Sequence, residues 1–167
     1  TELAPVFPTA HYAMGGIPTN IHTAVLADTD RIAPGLYAAC GIGALACAIL
    51  VANNLRDIPT DRDAGKLTLA VRLGDRRTRT LYRACVGVAF AAVGLGVGVG
   101  LADTGSGLPS SALLSFAAAP LAAVPLRAVA VATGGELIPV LVGTGLVQVT
   151  FGGLLALGLW IAGTTGS

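Results

Sequence analysis

Asn53–Asp75 reads NNLRDIPTDRDAGKLTLAVRLGD. It opens at the end of one uncharged stretch, Ile32–Leu55, and a second, Ala84–Ala102, follows it. Extended to Arg83, the segment holds eight of the chain's ten Lys and Arg residues and, in Asp57, Asp61, Asp63 and Asp75, four of its nine acids. Two further stretches, Thr104–Leu126 and Leu137–Ser167, also lack any Asp, Glu, Lys or Arg. Each of the four reaches the roughly 18 to 20 residues that cross a hydrocarbon core about 30 Å thick as a helix. The charged segment therefore sits between two bilayer-length elements.

Composition agrees. Hydrophobic residues make up 54% of the 167 and charged residues 11%, against about 25% charged in an average soluble domain. A chain this short lacks the polar surface to surround four such helices in water. The expected fold is all-α, an integral membrane bundle with helices at about 36–53, 81–102, 111–132 and 138–162 and a loop over 54–80. Residues 1–35 form an irregular extension ahead of a membrane domain at 36–163. The basic residues lie beside acids without interleaved aromatics, which argues against a nucleic-acid partner. Cys40, Cys47 and Cys85 show no metal-ligand spacing and read as packing residues.

The Lys and Arg imbalance sets the orientation. The basic 54–80 loop belongs in the cytoplasm of a multi-pass cell-membrane protein, and the 103–110 connector, with no Lys or Arg, belongs outside. In the second helix, Gly94, Gly96, Gly98 and Gly100 permit close approach of a neighbour. Pro120 and Pro125 kink the third, Arg127 anchors its end at the headgroups, and Trp160 sits in the interfacial aromatic belt. Gln148, alone in the fourth helix, is expected to bridge two helices.

Asp57 and Asp61 are spaced i, i+4, so a helix beginning near Ile58, with Pro59 in its first turn, places both carboxylates on one face. Paired carboxylates suit Mg²⁺, which combines one or two protein carboxylates with phosphate oxygens. Arg56, Arg62, Lys66 and Arg72 supply cations for the same anion. Charge alone leaves an equal alternative, a solvated positive-inside loop whose acids balance its bases.

The order of residues adds to this. Asn53–Asn54–Leu55–Arg56–Asp57–Ile58–Pro59–Thr60–Asp61, followed by Ala64–Gly65–Lys66–Leu67–Thr68–Leu69–Ala70–Val71–Arg72–Leu73–Gly74, strongly resembles the second aspartate-rich motif of UbiA-superfamily prenyltransferases, in the branch acting on 1,4-dihydroxy-2-naphthoate in menaquinone synthesis. The resemblance covers about residues 40–163 and implies the last four helices of a nine-helix bundle. It further implies Asp57 and Asp61 as catalytic Mg²⁺ ligands, with Asn53, Asn54, Arg56, Lys66 and Arg72 around a prenyl diphosphate and a dihydroxynaphthoate-like aromatic acceptor. Asp63 has no assigned place. The family's first aspartate-rich motif, NDxxDxxxD, is absent from this sequence. The chain is therefore expected to be a truncated, inactive half that needs the missing N-terminal half or self-association. The alternative is a non-catalytic membrane module.

Pro8–Thr9–Ala10–His11–Tyr12–Ala13–Met14–Gly15–Gly16–Ile17–Pro18–Thr19–Asn20 and Pro34–Gly35–Leu36–Tyr37–Ala38–Ala39 resemble a different family, the flavoprotein subunit of succinate dehydrogenase and fumarate reductase. That resemblance makes His11 the counterpart of a substrate-touching histidine, and a flavoprotein fragment is the second alternative. The flavin-anchoring histidine and catalytic arginines of that family have no counterpart, so residues 1–35 are expected to be a chimeric passenger.

Overall fold

The computed structural model describes residues 26–28, 31–32, 35–102 and 107–165. His11 and the rest of 1–25 lie outside the described residues. Leu26–Asp28 (β1) pairs antiparallel with Arg31–Ile32 (β2), a short hairpin within the extension expected to be irregular.

Helix α1, Gly35–Arg56, has 22 residues, about 33 Å at 1.5 Å per residue, which matches the hydrocarbon thickness. Its buried residues are Ala38, Gly41, Leu45, Ala48, Ala52 and Leu55. They alternate three and four apart and so form one stripe, made mostly of small side chains, that lets the backbone of a neighbouring helix come close. A Cβ added at Gly41 would lie 3.0 Å from the Ala89 carbonyl oxygen.

Helix α2, Ile58–Asp63, begins with Pro59 in its first turn, where the missing N–H costs nothing. Helix α3, Leu69–Leu101, starts at the Thr68 cap, whose hydroxyl accepts from the Val71 amide at 3.3 Å. The region between the first two spans thus consists largely of helix. Thr68 can cap, and Leu, Ala and Arg sustain a helix in water as readily as in lipid. Gly74 breaks α3, with φ 74° and ψ 170°, a region essentially reserved to glycine. The Thr78 hydroxyl bonds the Gly74 carbonyl at 2.8 Å and the Ala70 carbonyl at 3.4 Å, recovering acceptors at the break. Beyond it Thr78, Tyr82, Val86, Ala89, Val93 and Val97 form the buried stripe.

The third span departs from the expected α-helix over 111–132. Ser110–Ala118 is a 3-10 helix, and only Ala119–Ala128 (α4) is α-helical. Its buried residues Ala112, Ser115 and Ala118 recur every third position, the period of a 3-10 helix. Ser115 donates to the Ala112 carbonyl at 2.8 Å. Pro120, lacking an N–H, falls in the first turn of α4, while Pro125 lies inside it. After α4, a 3-10 turn, Gly134–Leu137, leads into α5, Ile138–Thr165. Among the described residues, four segments are long and apolar enough to cross a membrane: Gly35–Arg56, Leu69–Leu101, Ser110–Ala128 and Gly134–Thr164.

The core lies where α1, α3, α5 and the 3-10 segment meet. Phe90 packs edge-on against Phe116 and Phe151, with centroids 5.5 and 5.2 Å away. The glycine run of α3 works as expected at two positions: a Cβ at Gly96 would strike the Tyr37 side chain, and one at Gly100 the Leu108 backbone. Gly98 faces open space. The polar link between α3 and α5 is made by Tyr82 and Thr144, whose hydroxyls lie 2.6 Å apart with both residues buried. Gln148 is half-buried, and its side-chain amide bonds no described residue. The bridge expected of Gln148 is thus carried one turn earlier, at Thr144.

Candidate functional site

The polar side chains gather at one end of the bundle, where α1 ends, α2 and the first turns of α3 run, and the α4–α5 turn returns. Asp57 sits in the step between α1 and α2. Its amide bonds the Asn53 carbonyl at 3.2 Å, continuing the turn of α1, and its own carbonyl accepts from the Asp61 amide at 2.8 Å. The latter bond sets Asp57 and Asp61 one helical turn apart. The Thr60 hydroxyl also bonds the Asp57 carbonyl, at 3.0 Å.

Gly65 closes α2, and it positions a cation as it does so. With φ 71° it occupies the left-handed region that ends helices. Its amide bonds the Arg62 carbonyl at 3.1 Å, and the Lys66 amide bonds the Asp61 carbonyl at 2.8 Å. These are the paired 5→2 and 6→1 bonds of a Schellman motif. The chain folds back over its own helix, and the Lys66 ammonium comes to rest 3.7 Å from the Asp61 carboxylate. The spacing Asp61–x–x–x–Gly65–Lys66 is therefore a geometric device: the glycine turn returns the lysine to the aspartate.

Arg56 grips Asp57 with two parallel bonds, Nε to Oδ1 at 2.7 Å and Nη2 to Oδ2 at 3.1 Å. The side-chain hydrogen bonds from Arg56 hold the Asp57 carboxyl below the usual carboxylate range, outweighing the desolvation that would raise it. Asp57 is thus ionised at neutral pH.

The structure brings together Arg56 with Asp57 and Asp61 with Lys66. Arg72 is exposed, with a side chain that contacts neither carboxylate, and the side-chain amides of Asn53 and Asn54 hydrogen-bond no described residue. Asn54 instead lines a small cavity with Leu69, Ala70 and Thr78. Arg62 faces a separate cavity of about 230 Å³, lined also by Arg56, Asp75 and Arg79. Asp63 is exposed.

No group of three or more His, Cys, Asp or Glu side chains suited to a metal is gathered among the described residues. Two carboxylates one turn apart are nevertheless the share of ligands that a protein commonly gives Mg²⁺ when phosphate oxygens complete the shell. The donor set of Asp57 and Asp61 fits that share.

Sequence reasoning missed one constellation. Asp75 and Arg79, one turn apart on α3, form a forked pair at 2.6 and 2.7 Å. Arg79 also donates through Nη1 to the Val129 carbonyl at the end of α4, tying α3 to α4. The i, i+4 spacing was legible, whereas a backbone partner fifty residues away left no local trace.

A family model described as the UbiA prenyltransferase family matches residues 4–131. The chain belongs to the UbiA prenyltransferase family. Among curated proteins, the 1,4-dihydroxy-2-naphthoate octaprenyltransferase of Mycobacterium tuberculosis is 48% identical over 118 residues, covering 70% of this chain and 37% of that protein. Its counterpart in Mycobacterium leprae is 42% identical over 131 residues, 78% of this chain and 42% of that protein. The chain thus spans about two-fifths of the length of these family members. A flavoprotein subunit of mitochondrial succinate dehydrogenase from Xenopus laevis is 45% identical over 76 residues, 41% of this chain and 11% of that protein. No solved structure matches. The membrane bundle and the enzyme family expected from the motif are therefore shown.

Proposed function

We propose that this UbiA-family chain supplies the diphosphate-handling part of a prenyltransferase that moves a polyprenyl group from its diphosphate to a dihydroxynaphthoate-like aromatic acceptor, a step of menaquinone synthesis. The observation that carries this reading is the α2 turn. It places two carboxylates one turn apart at the end of a membrane helix and folds Lys66 back beside them through Gly65.

In this reading Asp57 and Asp61 hold Mg²⁺, which when bound neutralises charge developing on the departing diphosphate. Arg56 keeps Asp57 ionised and oriented. Lys66 lies within reach of the same anion, and its single pairing at 3.7 Å with Asp61 is loose enough to be exchanged for a phosphate oxygen. Asn53, Asn54 and Arg72 border the diphosphate, with Arg72 swinging in from an exposed position. The apolar helices exclude water from the allylic electrophile once diphosphate leaves, so that the aromatic ring attacks it in preference to solvent. A second pair of carboxylates, from helices outside this chain or from a second copy, completes the site, and the chain alone is inactive. The motif faces the cytoplasm of a cell membrane.

The test reconstitutes this chain with the preceding half of a family member in lipid and follows prenyl transfer to 1,4-dihydroxy-2-naphthoate with Mg²⁺. Asp57→Asn and Asp61→Asn should each lower the rate by at least a hundredfold, while Asp63→Asn stays within a few-fold. Equal losses at all three positions would assign the segment a general electrostatic role and favour a non-catalytic module. Flavin absorbance in the purified chain would favour the flavoprotein reading.

A further inference from the structure

The cavity of about 230 Å³ beside the motif has three guanidiniums in its wall, Arg56, Arg62 and Arg79, and one carboxylate, Asp75. None of Asp57, Asp61 and Lys66 lines it. Its floor is apolar, with Leu55, Ile58 and Leu137 all buried. The α4–α5 turn closes one side at Thr133 and Gly134.

The charges are not equally available. Both oxygens of Asp75 are bonded by Arg79, so its charge is balanced within the wall. Glu136, near the rim, turns back into its own loop, accepting from the Thr133 amide at 3.0 Å and the Thr133 hydroxyl at 3.3 Å. Arg56 spends one Nε and one Nη2 proton on Asp57, which leaves its other N–H donors to the cavity. The Arg62 guanidinium has no partner among the described residues. The cavity therefore presents unspent guanidinium donors and no carboxylate without its own arginine, over an apolar floor, at the polar end of a membrane bundle. Planar, charge-assisted N–H groups are the preferred partners of phosphate oxygens. The volume lies below the range of drug-sized pockets and suits one small anion or headgroup.

We propose that this cavity is a metal-independent binding site for a phosphate group carrying net negative charge, with Arg62 as its principal ligand and Arg56 as the second. Two sources share that chemistry, an anionic lipid headgroup and free phosphate. The cavity adjoins the carboxylate pair assigned to Mg²⁺ through Arg56, which bonds Asp57, but neither carboxylate lines it, and binding there does not depend on prenyl transfer.

The purified full chain in neutral detergent, with EDTA throughout, is titrated in two arms. One arm uses inorganic phosphate, followed by ³¹P line broadening. The other uses phosphatidic acid against a phosphatidylcholine background, followed by native mass spectrometry. Saturable binding in the first arm alone identifies free phosphate, and binding in the second arm identifies a headgroup. In either case Arg62→Gln should weaken binding about tenfold, the scale of a lost charge-assisted hydrogen bond. Arg76→Gln, an exposed arginine outside the cavity, should leave it within twofold. The proposal is overturned if neither ligand binds, or if the two variants weaken binding equally. It is equally overturned if binding appears only when Mg²⁺ replaces EDTA and vanishes in Asp61→Asn.

Discussion

Replacing Gly65 isolates the backbone device that returns Lys66 to Asp61. At φ 71° an L-residue meets a clash between its own Cβ and the backbone worth about 1–2 kcal/mol. A Cβ built there has nothing else within 4 Å, so no packing contribution adds to that strain. Gly65→Ala should therefore destabilise the end of α2 by about 1–2 kcal/mol, a factor of about 5–30 in its opening equilibrium. Asn tolerates the left-handed region through local hydrogen bonding, so Gly65→Asn should recover most of the loss. Hydrogen exchange by mass spectrometry on the chain in nanodiscs reads this at the Gly65 and Lys66 amides, the two donors of the Schellman motif. Exchange there should accelerate 5- to 30-fold in the Ala variant, by the same estimate, with the core of α5 unchanged. If Gly65→Ala exchanges like wild type, or Gly65→Asn is as fast as Gly65→Ala, the turn is not held by its left-handed geometry and the placement of Lys66 loses its cause.

Gly74 is the contrasting case. Its φ of 74° and ψ of 170° lie where Asn is no better than Ala, so Gly74→Ala and Gly74→Asn should both lower the thermal midpoint in detergent, and rescue by Asn would refute the assignment. The Asp57 carboxyl, held low by Arg56, adds stability at neutral pH that is lost as pH falls through its depressed folded value. Its carboxyl ¹³C titration should lie below that of a free aspartate and move up in Arg56→Gln, and an unmoved midpoint would deny the fork its role. For orientation, a cysteine introduced by Arg77→Cys in a background without Cys40, Cys47 and Cys85 should resist an impermeant thiol reagent in intact cells, while Ser110→Cys reacts. Both positions are exposed in the fold, so equal labelling would reverse the topology.

Periodicity and local chemistry were enough for much of this molecule. Four uncharged stretches defined four spans because each is long enough to cross a bilayer and carries no charge. Pro59 set the start of a helix near Ile58, and α2 begins there with Pro59 in its first turn. Three features required the tertiary structure. The 3-10 course of Ser110–Ala118 is absent from any α-helical reading, because its period of three appears only once Ala112, Ser115 and Ala118 are seen to face the bundle. Gly74 could have been one more glycine in a helix; its break is visible only where Thr78 caps the freed carbonyl. The partition of the cations was equally hidden. Six basic residues between Arg56 and Arg77 look interchangeable in sequence, yet Arg56 goes to Asp57, Lys66 to Asp61 and Arg62 to a different cavity. Local sequence sets which backbone turns are possible. Those turns pair Arg56 with Asp57 and Lys66 with Asp61. The cavity that Arg62 faces, and the Val129 carbonyl that Arg79 reaches, depend instead on where separate helices end in space, which packing among residues dozens of positions apart decides.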